Sequence, residues 1–396
     1  MTSAVPPQAP QASTRAVARP LTVRTISSEQ HLANIAAQPS ASFLQTPAWA
    51  AVKSEWKAES IGWFGPATGC APADEQPLGV GLVLYRQMPK LKKYLAYLPE
   101  GPVIDWSAGD AEAWLTPMVA HLKSKGAFGV RMGPAVVTRR WDAATIKKAI
   151  ADEALPMLGD VPASATDDAA LALPRTLQAL GWREQATEGG FSAGQPKYNF
   201  QVPLAGRTEG DVLAGMNQLW RRNIKKAAKL GVEVSVGTRG DLAAFHVIYV
   251  ETAERDHFTP RPLAYFEKMY DALNAEDPNR MRLYLAHHEG DLVAATTMVR
   301  VGGHAWYSYG ASTTAKREVR GSNAVQWQMI RDAMAAGATV YDMRGITDTL
   351  DPEDSHVGLI QFKVGTGGEA VEYVGEWDLP ISKVLYTAFD TYMKRR

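Results

Sequence analysis

Arg282-Leu-Tyr-Leu-Ala-His287-His-Glu-Gly-Asp-Leu292-Val-Ala-Ala-Thr-Thr-Met-Val-Arg-Val301-Gly-Gly-His304-Ala-Trp-Tyr-Ser-Tyr309 holds three runs of aliphatic, aromatic and β-branched residues. Such side chains suit a pleated, half-buried surface, and Arg282 to His287, Leu292 to Val301 and His304 to Tyr309 read as successive antiparallel strands. A helix from Ser322 to Ala336 and a strand from Thr339 to Met343 follow. Upstream, the pattern predicts a helix from Glu209 to Leu230 stopped by Gly231, a strand Val232 to Val236, and helices near Asp241 to Glu254 and Pro262 to Asn274. The N-terminal half repeats this order. It has a helix around Thr46 to Trp56, strands Gly79 to Arg86 and Lys93 to Leu98, a helix Ala111 to Lys125 and a strand Phe128 to Met132. Both halves read helix, antiparallel strands, helix, strand, which predicts an α+β chain built from two copies of one unit.

Length and composition agree. The 396 residues are 46% hydrophobic and 21% charged, enough for two cores. The expected division is a tail over residues 1–21, a first domain over 22–200, a second over 201–374, and a segment 375–396 that packs back on the first. Forty-two basic residues balance forty-two acidic ones, which argues against a general nucleic-acid coat while allowing a local basic patch. Cys70, the single cysteine, excludes an internal disulfide and a multi-cysteine metal site, and reads as a solvent-facing loop residue in a reducing cytoplasm. The tail has no continuous apolar core, and no run approaches the ~20 apolar residues that span a bilayer. Any contact with a membrane is therefore expected to be peripheral.

Two stretches concentrate charge. Trp220-Arg-Arg-Asn-Ile-Lys-Lys-Ala-Ala-Lys-Leu-Gly231 places Arg221, Lys225 and Lys229 on one helical stripe with Arg222 and Lys226 beside it. It reads either as a solvated face with lysines complementing the helix dipole or as a surface for phosphates. The second stretch is Gly358-Leu-Ile-Gln-Phe362-Lys363-Val-Gly365-Thr-Gly367-Gly368. There a lone lysine sits between an apolar run, read as a buried strand, and a glycine-rich turn where backbone can approach a ligand closely.

These stretches resemble the FemABX aminoacyltransferases, which build peptidoglycan cross-bridges and carry Phe-Lys-x-Gly-aromatic-Gly-Gly and Arg-x-Asn-Ile-x-Lys-Ala segments at the corresponding places. Matches follow in the family's order from about Thr22 to the C-terminus. They include Phe43-Leu-Gln45-Thr-Pro-Ala-Trp49 with Lys53, Pro99-Glu-Gly-Pro102-Val-Ile-Asp105, Arg255, Arg261 with Tyr265, Tyr307-Ser-Tyr309, Asn323-Ala-Val-Gln-Trp327 and Tyr341-Asp-Met-Arg344-Gly. Thr366 departs from the pattern, since the family has an aromatic there.

The resemblance implies two tandem acetyltransferase-like domains, each a mixed, largely antiparallel sheet flanked by helices. It also implies transfer of an amino acid from aminoacyl-tRNA to the stem-peptide amine of a UDP-linked or lipid-linked precursor by a cytoplasmic monomer, with no cofactor and no metal. An aminoacyl ester meeting a primary amine requires orientation, proton removal and oxyanion stabilisation rather than a protein nucleophile. On this reading Lys363 supplies positive charge at the tRNA end, with Phe362 beside it. Lys53, Arg261, Tyr265 and one of Tyr307 or Tyr309 bind the precursor's diphosphate and sugar, and the basic helix meets tRNA. Asp105 either positions the acceptor amine or caps its own turn.

Other readings have weaker support in the residues. Gly190-Phe-Ser192-Ala-Gly194 fits the nucleophile-elbow formula but leads into Gln195-Pro196 and a strand, not a helix. His287-His288 lacks further ligands at metal spacing, and Gly365-Thr-Gly-Gly368 lacks the Gly-Lys-Ser/Thr ending of a P-loop. Arg320-Gly-Ser-Asn323 at a helix start is similar to the pyrophosphate loop of acetyl-CoA N-acetyltransferases, with degenerate glycine spacing. An acetyl-CoA-type N-acyltransferase and a non-catalytic RNA-binding protein stand as alternatives.

Overall fold

A computed structural model describes residues 20–66, 75–152, 154–186, 194–351, 353–354 and 357–394. Cys70, most of the tail and most of the Gly190 to Gly194 stretch lie outside the described residues. In chain order the first part holds β1 (Thr22–Thr25), α1 (Ser28–Ala36), α2 (Ala48–Val52), β2 (Lys57–Phe64), β3 (Gly79–Gln87), β4 (Tyr94–Leu98), α3 (Ala111–Ser124) and β5 (Ala127–Met132). Then come β6 (Val137–Asp142), α4 (Ala143–Ile150), β7 (Ala165–Thr166), α5 (Asp168–Ala179), β8 (Arg183–Glu184), β9 (Tyr198–Pro203), α6 (Glu209–Gly215) and α7 (Gln218–Lys229). The rest is β10 (Glu233–Gly237), α8 (Leu242–Asp256), α9 (Leu263–Glu276), β11 (Met281–His288), β12 (Asp291–Val301), β13 (His304–Ser312), α10 (Gly321–Ala335), β14 (Val340–Ile346), α11 (Val357–Val364), β15 (Glu369–Tyr373), β16 (Trp377–Pro380) and α12 (Lys383–Lys394).

Two sheets result, ordered β1-β2-β3-β4-β5-β16-β8 and β10-β11-β12-β13-β14-β9-β15-β6-β7. Each has a single parallel pair among the described residues, β4 with β5 and β13 with β14. In both cases the connection is one helix, α3 or α10, because parallel neighbours need a crossover. The succession strand, two helices, three strands, helix, parallel strand occurs once from β1 to β5 and again from β10 to β14. The duplication therefore lies in topology, and the chain is α+β with two mixed, largely antiparallel sheets.

Chain order and sheet membership part company at both ends of the bridge. Strands β6 and β7 extend the second sheet, while β16 leaves it to pair with β5. Helix α12 then sets Phe389 against Leu95 and Phe128 of the first sheet. Between the sheets, Phe43, Trp49, Phe64 and Leu82 share one apolar cluster with Met269, Leu273, Val299 and Trp306. The Glu276 carboxylate on α9 accepts from the Ala48 N–H of α2 at 2.8 Å across this joint. No helix among the described residues is long and apolar enough to cross a membrane.

Three expectations change. Gly358 to Lys363 is not a strand but part of α11, whose buried residues Val357, Ile360, Lys363 and Val364 follow helical spacing. An almost continuous apolar run does not reveal its period, and the tertiary partners chose the helix. The predicted helix Glu209 to Leu230 is two helices, since Asn217 caps α7 by accepting from Trp220 N–H at 2.8 Å. The helix predicted over Thr46 to Trp56 shrinks to α2.

The glycine-rich turn after α11 is packed against the protein itself. A Cβ on Gly365 would lie 2.3 Å from the Trp220 ring, and one on Gly367, where φ is +76°, would lie 2.1 Å from the Gly215 carbonyl oxygen. Asn217 N–H donates to the Gly365 carbonyl at 2.8 Å. The glycines thus let α11 meet the α6–α7 break, rather than leaving backbone open to a ligand. Gly367→Ala should lower the unfolding free energy by about 2 kcal/mol or more in urea denaturation, from left-handed strain plus overpacking. Gly358→Ala, which meets nothing within 4 Å, should be neutral or stabilising.

Candidate active site

A cavity of about 320 Å³ opens where the two halves meet. Lys53 ends α2, Arg261 precedes α9, Tyr265 lies on α9 and Tyr309 on β13, and all four line it beside Trp49, Trp56 and Tyr97. Lys53 Nζ lies 5.7 Å and Arg261 Cζ 5.4 Å from the Tyr265 ring centre, so one aromatic face serves two cations. Neither cation has an ion-pair partner among the described residues. Burial lowers the Lys53 pKa, with Glu55 opposing and Arg261 reinforcing the shift. Two like charges held together with no ion pair to a carboxylate among the described residues make a ready anion site. Gln195 lines the same cavity, and its buried Nε2 has no acceptor among the described residues.

The structure separates the two tyrosines of β13. A register shift opposite Thr297 and Met298 interrupts the alternation between Tyr307 and Tyr309. Tyr309 donates to or accepts from Tyr265 Oη at 3.1 Å and joins the acceptor-side clusters. Tyr307 packs into the core of the second sheet, over Gly310, with its phenol pKa pushed up to about 12 by burial. Ser308 takes its place in the cavity wall. Asp105 is also elsewhere. Its carboxylate is exposed and accepts from Ser107 N–H at 3.0 Å and Ser107 Oγ at 2.6 Å, which is the capping role.

Lys363 occupies a different environment from that of a surface cation. Only 3% exposed, it donates from Nζ to the carbonyls of Gly345 at 2.7 Å and Arg344 at 3.2 Å. Those carbonyls belong to a bulge in β14, where the pairing with β9 shifts between Asp342 and Gly345 and Arg344 takes φ of 64°. Arg344 lines the first cavity, and its Nη1 donates to Glu100 at 2.8 Å. Glu100 in turn accepts from Ser42 Oγ at 2.5 Å. Burial pulls the Lys363 pKa down to about 7, with the charge of Asp342 opposing and that of Arg344 assisting. Asp342 stays ionised despite burial because it accepts from His304, Gln201 and the Arg344 N–H. Arg344 and Glu100 stood in the quoted motifs without an assigned role, since neither a positive φ nor a bulge is visible in one sequence.

A second cavity, about 400 Å³, lies beside α11. Phe362 and Gln361 face it, together with Asn217, Trp220 and Asn223 of α7, Lys316, Arg317 and Arg320, and the first turn of α10. Phe362 packs on Trp220 with ring centres 4.8 Å apart, and the Phe362 carbonyl accepts from Trp220 Nε1 at 2.8 Å. Lys316 is engaged by Glu289 and Asp291, whereas Arg317 and Arg320 form no ion pair among the described residues. Asn323 is 6% exposed, lines the cavity and makes no side-chain hydrogen bond among the described residues. The start of α10 thus offers backbone N–H groups, two free guanidiniums and an unpartnered amide.

The basic helix borders this cavity. Arg222, Lys225, Lys226 and Lys229 are exposed without ion pairs among the described residues, and Arg222 and Lys226 stand one turn from the lining residues Leu219 and Asn223. Arg221 differs, because Nη1 donates to the Ala214 and Met216 carbonyls and so closes the end of α6. Thr366 is 1% exposed and donates to the Lys363 carbonyl at 2.6 Å, so this position faces the interior.

The two cavities open on a duplicated α+β scaffold, and Lys363 is buried behind the β14 bulge whose Arg344 lines the first of them. A model of the FemAB family matches residues 26–289 and 279–394, and the chain belongs to that family. It is 23% identical to the lipid II:glycine glycyltransferase of Staphylococcus aureus (strain USA300), over 93% of this chain and 95% of that protein. Among solved structures it is similar to FemX, with a TM-score of 0.75 and 22% identity over 92% of this chain and 99% of that one.

The Lys363 environment has a measurable sign. With the folded pKa near 7 and the ordinary value at 10.5, the unfolded chain binds more protons between the two, so this group's contribution to stability rises with pH across that window. The difference in unfolding free energy between wild type and Lys363→Met should therefore shift in favour of wild type from about pH 7 to about pH 10. A pH-independent difference would show the lysine charged throughout.

Proposed function

We propose that this enzyme transfers an amino acid from aminoacyl-tRNA to the stem-peptide amine of a lipid-linked peptidoglycan precursor, forming the interpeptide bridge in the cytoplasm. The observation that carries this reading is the pair of unpaired cations, Lys53 and Arg261, stacked on Tyr265 in a cavity whose far wall is the Arg344 bulge. A diphosphate suits that pair, because a guanidinium forks onto two oxygens while an ammonium adds point charge. Tyr309 and Tyr265 then offer hydroxyls to the sugar. The relative whose printed name specifies lipid II as acceptor supports the lipid-linked form.

The donor enters by the second cavity, beside α11. Arg222, Lys225, Lys226 and Lys229 hold the acceptor arm of tRNA by phosphate contacts, and Arg317, Arg320 and the α10 N-terminus take the terminal phosphates. Aminolysis of the ester needs the two reactants aligned and the departing ribose oxygen stabilised. Lys363 serves this from behind, by holding the bulge that carries Arg344 and by placing positive charge behind it. Being poised near neutral pH, it can also share in proton movement.

Incubation with mixed charged tRNAs and with lipid-linked or UDP-linked precursor, followed by mass analysis, tests the reaction and names the amino acid. Product on the lipid-linked form is expected. Stabilisation by coenzyme A with no transfer from tRNA would establish the acetyl-CoA alternative instead. Lys363→Ala should lower kcat by about a hundredfold, in the range for loss of one preorganised electrostatic group, with a smaller change in KM. Arg261→Ala should raise the KM for precursor at least tenfold with kcat less affected, as expected for a ligand of the non-reacting diphosphate.

A further inference from the structure

One edge of the first sheet carries charge that neither cavity uses. The turn between β3 and β4 is a tight hairpin, closed by Met88 N–H to the Lys93 carbonyl at 2.8 Å and Leu91 N–H to the Met88 carbonyl at 3.2 Å. It projects Lys90, Leu91, Lys92 and Lys93, all exposed, with Leu91 45% exposed at the tip. Pairing brings two further segments to the same edge. Tyr94 N–H donates to the Gly126 carbonyl, which sets the end of α3 with Lys123 beside the hairpin, and Ser382 N–H donates to the Phe128 carbonyl, which sets Lys383 and the 79% exposed Val384 at the start of β5.

The lysines at 90, 92, 93, 123 and 383 form no ion pair among the described residues, although Lys125 nearby is held by Glu59 at 3.3 Å. Five uncompensated ammonium groups around exposed aliphatic side chains repel one another in water. They fit a surface that supplies negative charge and a shallow apolar layer together.

We propose that this edge docks on a bilayer of anionic phospholipid, with Leu91 and Val384 entering the headgroup region and the lysines meeting lipid phosphates. The position relative to the acceptor cavity supports it. Trp56 in the cavity wall lies 5.4 Å from the Arg86 guanidinium, which lies 5.9 Å from the Phe389 ring on α12, and Phe389 shares a cluster with Met88 at the hairpin base. Along β3 the cavity residue Leu84 is six residues from Lys90, on the order of 20 Å of extended chain. A membrane at the hairpin edge would thus stand one short span from bound acceptor, while the tRNA track on α7 belongs to the second sheet's side of the molecule. The docking proposal builds on the lipid-linked acceptor named above, which gives it a purpose.

Flotation of the full chain with vesicles of phosphatidylglycerol and phosphatidylcholine, without precursor, tests it. Binding is expected with the mixed vesicles, much less with phosphatidylcholine alone, and should fall as salt rises. The variant Lys90→Glu/Lys92→Glu/Lys93→Glu should weaken partitioning by at least about tenfold, while Lys→Arg at the same positions should restore it. Leu91→Ser alone should weaken it at constant charge. All variants should keep wild-type transfer to a soluble, detergent-dispersed precursor. Wild-type flotation by the charge-reversed variant would overturn the docking edge and leave the proposed reaction standing. Vesicle binding with no transfer to any precursor would do the reverse. Loss of tRNA affinity in the charge-reversed variant, with vesicle binding unchanged, would assign the edge to RNA and overturn the proposal.

Discussion

The site depends on one ammonium group and two backbone carbonyls. A β-bulge at Arg344 leaves carbonyls turned away from the ladder, and the Lys363 Nζ supplies the donors they would otherwise lack. An ammonium buried without partners would cost several kcal/mol, so lysine and bulge require each other. Through that bond the helix α11 controls where Arg344 points, and Arg344 with Glu100 ties the second half of the chain to the Pro99–Pro102 turn of the first. The closely packed glycines behind α11 complete the constraint, because they hold the helix against the α6–α7 break from which the basic helix begins.

The two cavities differ in chemistry, and the proposed function gives each a separate substrate. The first cavity sets two cations around the Tyr265 ring, and neither Lys53 nor Arg261 forms an ion pair among the described residues. The second cavity has a helix start and the guanidiniums of Arg317 and Arg320 in its wall, next to the cationic face of α7. Behind the Arg344 bulge, Asp342, Arg344 and Lys363 act on one another's charge. Burial alone would make the lysine neutral, and the Asp342 carboxylate keeps its pKa near 7 instead of lower. On the proposed function, the helix termini of the second half would meet phosphate and the cavity between the halves would hold the other substrate.

Much of this was legible before any coordinates. The α+β class and the repeat of strands and helices followed from patterning, and the family motifs grouped Lys53, Arg261 and Tyr265 with one of Tyr307 or Tyr309, of which the structure sets Lys53, Arg261, Tyr265 and Tyr309 around one cavity. The errors have distinct physical origins. Gly358 to Lys363 was read as a strand because an apolar run with few polar interruptions shows no period. The sequence left one of Tyr307 or Tyr309 open, and the bulge beside Thr297 puts only Tyr309 in the cavity wall. Arg221 was counted with the phosphate surface because helical projection cannot show a side chain folding back onto the preceding helix's carbonyls. Asp105 had two open roles, and its contacts are those of a cap.

The sequence by itself determined which chemical groups this protein has available: a lone lysine in an apolar setting, a cationic helix, aromatic and cationic residues in a recognisable order, and a duplicated pattern of elements. Those are local properties, fixed by residue type and spacing. Only the tertiary structure decided that the lysine is buried, that its partners are backbone carbonyls, and that Arg344 lines the cavity between the halves. These depend on a bulge and a helix packing that bring Arg344 and Lys363 together from separate elements, and burial, not residue identity, moves the lysine's protonation toward neutral pH.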